Sequence, residues 1–429
     1  MSDTPVPDAS PLFAPAPFAH LRPTVVAIAL AAVASLIWAA WGATLPGGRW
    51  FAVHVFTLGV MSNAILAFTA HFARTVLHAP ARGGDRGRFW VFNVGIVAML
   101  IGLPQGSPAL VGVGATAAGA AVFWLYLDLR RMRKAALAPR FAFVVRAYER
   151  ASSAFLHGAL LGLLMGIAVV GGAWYGALRI AHLHVMILGW AGITLLATIV
   201  FFGPTVMRTK IVTGADERAV RTLRHGATAL TVAVLALLGL GFEGTLATWS
   251  RVLAAIGLAG FALATTIICS DVLRAARHAQ PSPHARHLAA ACVWFPLVVW
   301  VDVYAVAVGS FQLLNAVGLV ALLGVLAQAV LGALGYVAPM VWAPGPDDRK
   351  EVRERLEILP SLRPAAFNLG VLAVAIAAGL GTSAGDAGAL LLRAGWLLVG
   401  VVTAGTLALV VAGVRNAAAA GGVLRGGRS

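Results

Sequence analysis

The sequence predicts an all-α, polytopic membrane protein built as a bundle of twelve transmembrane helices. Of its 429 residues, 60% are hydrophobic and only 11% are charged, and the mean hydropathy is +0.88. Apolar segments of about 17–25 residues recur along the chain, which is the length that crosses a bilayer about 30 Å thick. The Lys and Arg residues concentrate in alternate loops, as the positive-inside rule requires of a polytopic membrane protein.

The twelve predicted spans form a single transmembrane domain over residues 23–413. They lie at residues 23–45, 51–76, 89–106, 108–129, 151–172, 179–206, 226–243, 248–272, 288–309, 312–340, 366–384 and 388–413. Residues 1–22 are rich in Pro and Ala and predict a disordered cytoplasmic tail. Residues 414–429 form the second predicted cytoplasmic tail.

The distribution of the 32 basic residues gives the orientation. All but Arg49, Arg179, Arg251 and Arg393 lie in or beside the tails and the even-numbered loops. Both termini are therefore expected on the cytoplasmic side of the plasma (inner) membrane. The formal charge of +16 is interpreted as a topology signal that also meets anionic membrane lipid, because no nucleic-acid-binding motif is present. The sequence predicts no oligomeric state.

A repeated motif indicates internal symmetry. The pattern His-Val-x-x-Leu-Gly begins at His54 in the second span and again at His184 in the sixth. The sixth and tenth spans end in similar segments, at residues 203–209 and 336–342, and the equivalent of the histidine in the tenth span is Leu319. Spans 2, 6 and 10 are four helices apart, which predicts three four-helix units in a pseudo-threefold arrangement.

The repeated histidines predict an outer metal or cofactor site. A histidine inside a membrane span is costly without a partner and marks a functional site by default. His54 and His184 lie near the outer ends of their spans, and neutral imidazole is a common ligand of haem iron, copper and zinc. His182 lies about 200° around the helix from His184, so the repeat favours His184 as the inward ligand. The alternative is that all three are interfacial residues bound to backbone or water.

A second, inner site is predicted at His71 and His157. His71 follows His54 by about 25 Å along the helix, so the two cannot share one centre. His157 is expected at the inner end of the fifth span, at the same depth as His71. His225, His278, His284 and His287 fall among arginines in predicted loops and are expected to be solvated.

Few other polar groups lie in the predicted spans. Asp302 is the only acid well inside one, and it is interpreted as a proton-relay acid, a partner for a histidine, or an interfacial residue. Transporters usually carry more buried charge or helices broken in mid-membrane, so this inventory favours cofactor binding over solute transport. Cys269 and Cys292 have no spacing typical of a metal or disulfide motif.

The predicted architecture resembles haem–copper oxidase subunit I. Residues 62–65, 71–73, 188–194, 204–209 and 331–339 are more specifically similar to the transmembrane module of actinobacterial copper nitrite reductases and multicopper oxidases, which is related to the NnrS-like membrane proteins. The resemblance implies haem b as cofactor, copper as a second candidate, and a separate cupredoxin or multicopper partner on the outer face. The histidine pair in span 7 and the His-x-His in span 10 of true oxygen reductases are absent, so no complete oxygen-reducing centre is expected.

Three functions remain as hypotheses. The first is a haem-binding, or copper-binding, protein of electron transfer or of nitrite and nitric oxide metabolism, whether or not it is itself an enzyme. The second is a transporter or metal-handling permease that uses the same histidines transiently. The third is a non-catalytic membrane anchor or assembly partner.

Overall fold

The structure is a computed structural model that describes residues 17–41, 44–80, 83–136, 140–381 and 385–426, with side chains as far as residue 416. Every regular element in these ranges is helical, and no strand is found there. The helices are α1 (Ala19–Trp41), α2 (Gly48–Leu77), α3 (Asp85–Gly102), α4 (Pro108–Ala135), α5 (Ala142–Gly166), α6 (Gly172–Met207), α7 (Ala215–Gly241), α8 (Gly244–Ala276), α9 (Pro283–Val308), α10 (Phe311–Trp342), α11 (Pro346–Leu356), α12 (Leu362–Leu380) and α13 (Gly385–Gly426).

Ten of the described helices are long and apolar enough to cross a membrane, which makes the protein a multi-pass membrane protein. The other helices are α3, α5 and the short, charged α11. Helices α3 and α5 overlap the predicted third and fifth spans, but each begins earlier than predicted and takes in charged residues. Helix α5 runs from Ala142 to Gly166, whereas the sequence predicted residues 151–172. The reason is that Glu149, in its second turn, pairs with Arg133 of α4 at 2.6 Å.

Helices α2, α6 and α10 share one unusual construction. Each contains a π-helical segment, at Val55–Ser62, Val185–Gly192 and Ala321–Ala327, and each segment is followed by an α-helical segment of 15 residues. The first two π segments begin directly after His54 and His184. The repeat detected in the sequence is therefore also a repeat of backbone conformation. Short π-helical stretches inside α-helices are frequently found at functional sites.

Close glycine contacts recur in three antiparallel helix pairs. A Cβ on Gly95 of α3 would lie 2.8 Å from the Gly114 carbonyl oxygen of α4, and one on Gly257 of α8 would lie 2.7 Å from the Ala229 oxygen of α7. Gly370 of α12 and Gly395 of α13 approach each other in the same way, at 2.8 Å. Small residues let membrane helices pack with their backbones close together, so any side chain at these positions would separate the helices.

Ion pairs join the helix ends at one end of the bundle, here called the Arg-rich end. The pairs are Arg74–Asp85, Arg88–Asp128, Arg133–Glu149, Arg140–Asp216, Arg218–Asp271 and Arg208–Glu357. Asp85 precedes the predicted third span, and its pKa is lowered because the guanidinium groups of Arg74 and Arg88 outweigh the opposing effect of burial. The basic residues that predicted topology thus also tie neighbouring helices together.

Parts of the two predicted tails are described. At the N-terminus, Phe18 is buried against Val337 and Val341, and its backbone N–H donates to the Met340 carbonyl oxygen at 2.9 Å. Residues 1–16 of the predicted disordered tail lie outside the described residues. At the C-terminus, α13 continues as far as Gly426, into the range assigned to the second tail.

Candidate functional site

His54 of α2 and His182 of α6 lie side by side. Their ring centroids are 6.5 Å apart and their planes are inclined by 21°. Trp50, one helical turn before His54, stacks on the His54 ring at 4.2 Å. Each histidine lies just before a π-helical segment. His54 precedes the segment of α2 by one residue, and His182 precedes the segment of α6 by three residues.

The hydrogen bonds of this pair define the protonation of both rings. His54 Nδ1 lies 2.8 Å from the Trp50 carbonyl oxygen, and His182 Nδ1 lies 2.8 Å from the Gly158 carbonyl oxygen of α5. A carbonyl oxygen can only accept, so each Nδ1 carries the proton and donates it. Within the described part of the chain, neither Nε2 atom has a hydrogen-bond partner. Each Nε2 therefore presents a lone pair, the form in which imidazole binds metals.

Helix α5 holds His182 in place through close contact at Gly162 as well as through the Gly158 carbonyl group. A Cβ on Gly162 would lie 2.9 Å from His182 Cε1 and 3.2 Å from its Nδ1. The imidazole therefore rests directly on the α5 backbone, one turn beyond the carbonyl that accepts its proton. A larger residue at position 162 would displace the ring.

His184 has a different environment from its neighbour His182. Its side chain is 1% exposed, and Nε2 lies 3.0 Å from Asp302 Oδ2 and 3.2 Å from Oδ1. Its Nδ1 donates to the Ile180 carbonyl oxygen at 2.8 Å. Both ring nitrogens of His184 therefore have partners. Asp302 is 2% exposed, and of the three roles considered for it from the sequence, it takes that of a partner for a histidine. The ring beside His54 is therefore that of His182, and not that of the predicted metal ligand His184.

A buried hydrogen bond fixes α2 and α6 relative to each other just past the histidines. Trp190 Nε1–H donates to Ser62 Oγ at 2.9 Å, and Ser62 Oγ in turn donates to the Thr57 carbonyl oxygen at 2.8 Å. Ser62 and Trp190 both lie in π-helical segments and are 0% and 2% exposed. The two π segments therefore pack together and align the histidines that precede them.

The structure does not bring His71 and His157 together as the inner site requires. Because α5 begins at Ala142, His157 lies in its second half, next to the Gly158 carbonyl that binds His182, and its exposed ring bonds to the Ser153 carbonyl oxygen at 2.7 Å. His71 lies towards the Arg-rich end, with its ring 4.2 Å from Phe18 and 6.1 Å from His20. The two rings have different neighbours, and the ring contacts of the described residues include none between His71 and His157.

Two histidines expected to be solvated are buried. His284 and His287 are 5% and 2% exposed in the first turns of α9, whereas His225 and His278 are exposed as predicted. The sequence did carry a signal, because Ser282-Pro283 is a typical helix start, with Ser at the N-cap and Pro in the first turn. A helix starting there places His284 and His287 on one face, three residues apart.

The described residues contain no group of three or more His, Cys, Asp or Glu side chains placed to hold a metal ion. The arrangement that fits metal chemistry best is thus a two-imidazole pair, His54 and His182. No family model matches this chain, and a search of curated proteins finds none that is similar to it.

Proposed function

We propose that His54 and His182 together bind one redox-active metal centre, haem iron in the first instance, in a membrane protein of electron transfer. The observation that carries the proposal is the pair of nearly parallel imidazoles, 6.5 Å apart, whose Nδ1 protons are both donated to backbone carbonyl groups. That outer hydrogen bond fixes the tautomer and leaves Nε2 as the ligand atom.

The spacing of the two rings supports a shared centre. The ring centroids lie 6.5 Å apart, a separation at which one group between the rings could meet both imidazoles. His54 and His182 would be the protein's two ligands to haem iron, whereas protein-bound copper or zinc usually takes three or four side chains.

The residues around the pair would set its properties. Haem or copper bound there would supply one-electron exchange. The Trp50 and Gly158 carbonyl groups hold the two imidazoles and increase the basicity of Nε2. Gly162 leaves room for the His182 ring, and the Ser62–Trp190 hydrogen bond fixes the helices that carry both ligands.

We further propose that α3 and α5 also cross the membrane, giving twelve spans in three four-helix units. The π-helical segments of α2, α6 and α10 occupy equivalent positions in these units. The close glycine pairs α3–α4, α7–α8 and α12–α13 are the last two helices of each unit. Both features support the resemblance to haem–copper oxidase subunit I and to NnrS-like proteins.

The orientation follows from the charge distribution. With both termini on the cytoplasmic side of the plasma membrane, the His54–His182 pair lies towards the outer face. An electron acceptor there would be a separate cupredoxin or multicopper protein, in nitrite or nitric oxide metabolism. This assignment rests on the resemblance and on the position of the pair in the bundle.

The proposal is tested by the absorption spectrum and metal content of the purified protein. The wild-type protein is expected to show a Soret band, or stoichiometric copper, that His54→Ala and His182→Ala each remove. His157→Ala is the matched control, because its ring is exposed and bonds only within its own helix. A wild-type protein with neither haem nor copper, or a centre that survives both substitutions, would contradict the proposal.

A transporter or metal-handling permease is the second candidate function. The observation that favours it is the buried His184–Asp302 pair, since ionisable pairs inside membrane proteins commonly form proton relays. A colourless wild-type protein, with solute or metal uptake that His184→Ala abolishes, would support this function instead.

A further inference from the structure

A cavity opens at the Arg-rich end, far from the His54–His182 pair. Its volume is about 270 Å³, and it lies between α6, α9, α10 and α11. Its polar lining residues are Thr205, Arg208, Ser282, His284, Tyr336, Arg353 and Glu357. The space is large enough for a small polyatomic ligand.

His284 is one of the residues that line this cavity, and one of its ring nitrogens is unsatisfied. Its Nδ1 donates to the Leu331 carbonyl oxygen of α10 at 3.1 Å, and its side chain is 5% exposed. Its Nε2 has no hydrogen-bond partner within the described part of the chain. The Cδ2–Nε2 edge of the ring covers Gly335, another lining residue, where any Cβ would collide with it.

The surroundings of His284 carry positive charge. Arg208 and Arg353 line the cavity, and only Arg208 is paired, with Glu357 at 2.8 Å and with Gln280 at 3.3 Å. The guanidinium of Arg353 makes no hydrogen bond or ion pair with the described residues. A cation would be repelled here, whereas an oxyanion would gain charge-assisted hydrogen bonds.

A further cationic group, Arg363, lies near His284 but is not one of the residues that line the cavity. Arg363 is buried, and its Nη2 donates to the Leu356 carbonyl oxygen at 2.7 Å. Its Nε and Nη1 have no partner among the described residues. Helix α9 also begins at this cavity, with Ser282 as its N-cap, and a helix N-terminus favours negative charge.

We propose that this cavity is a binding site for a phosphate-type oxyanion, held by Arg208 and Arg353. The two guanidinium groups donate hydrogen bonds to the anion and balance its charge. The anion is either free phosphate or the headgroup of an anionic lipid, which share this chemistry. The site is independent of the metal centre.

The test uses the full-length protein, purified in detergent and stripped of lipid, and equilibrium dialysis with radiolabelled inorganic phosphate. Arg353→Gln is expected to weaken binding about tenfold or more, because a charge-assisted contact is lost. Lys350→Gln is the control on the same helix, since it removes the same charge from a side chain that is 73% exposed and outside the cavity. Glu357→Gln is expected to tighten binding severalfold, because it removes the carboxylate that competes for Arg208.

Vesicles of phosphatidylcholine with and without phosphatidic acid then identify the source of the anion. Displacement of phosphate only by vesicles containing phosphatidic acid would support a lipid headgroup, and saturable phosphate binding without displacement would support a free anion. Absence of saturable binding by both probes would overturn the proposal. Equal effects of Arg353→Gln and Lys350→Gln, or no tightening with Glu357→Gln, would also overturn it.

Discussion

His182 and His184 lie two residues apart on α6, yet their environments are opposite. Both donate Nδ1–H to a backbone carbonyl oxygen at 2.8 Å. The difference is at Nε2, which is free in His182 beside His54 and is bound to the Asp302 carboxylate in His184. The partner of the second nitrogen decides whether a buried imidazole can bind a metal or serves as half of an ion pair.

The largest effect is expected from a variant that removes the carboxylate partner of His184. Asp302→Ala leaves a buried imidazole without its carboxylate partner, and breaking a buried pair in this way costs about 3–5 kcal/mol. We expect a corresponding loss in the free energy of unfolding, measured by chemical denaturation in detergent. The double variant His184→Leu/Asp302→Leu should recover most of that loss, because apolar residues of similar volume often replace a buried pair at little cost.

The same variants also separate the two histidines. The double variant is expected to keep the proposed metal centre, because neither His54 nor His182 is changed. A double variant as unstable as Asp302→Ala would show that shape, and not charge, determines the role of this pair. Loss of the Soret band or copper in a folded double variant would place His184 in the metal centre.

An intermediate effect is expected at the glycine beneath His182. In Gly162→Ala the new Cβ would lie 2.9 Å from the His182 ring, and overpacking of this kind costs about 1–3 kcal/mol. We expect a lower free energy of unfolding and a weakened or shifted absorption of the metal centre. Gly176→Ala on α6 is the control, since a Cβ there meets nothing within 4 Å and alanine stabilises a helix by up to about 1 kcal/mol. Equal spectra for the two variants would exclude contact between the ring and α5.

The smallest effect is expected at His157, which neighbours Gly158 in sequence but does not face His54. Its ring is exposed and bonds to the Ser153 carbonyl oxygen of its own helix. His157→Ala should change the free energy of unfolding by no more than about 0.5 kcal/mol. It should also leave the absorption spectrum unchanged. A spectral change would mean that His157, and not its neighbour's carbonyl group alone, contributes to the centre.

The sequence predicted the helices well and some of their ends poorly. Long apolar runs have one inexpensive conformation in a membrane, so each predicted span overlaps a helix. The start of α5 was missed because a charged helical turn resembles a loop until its partner is known, and Glu149 finds that partner in Arg133. The start of α9 was missed in a similar way, which placed His284 and His287 in a solvated loop.

The repeated motif shows where sequence reasoning succeeds and where it stops. It pointed to three helices, and each of them contains a π-helical segment. It also suggested that equivalent histidines face one site, which is not what the packing produces. His54 faces His182 on α6, whereas its counterpart His184 faces Asp302 on α9. Residues at the same position of the repeated motif thus meet different neighbouring helices.

Composition and hydropathy alone were enough to show a multi-pass helical membrane protein and to locate its repeated histidines along the chain. They are properties of each segment alone, which is why they can be recognised without the fold. The contacts of His54 with His182 and of His184 with Asp302 became visible only in the folded bundle. The angle between two residues on a helix follows from the sequence, but the neighbour that each one meets depends on how the helices pack around it.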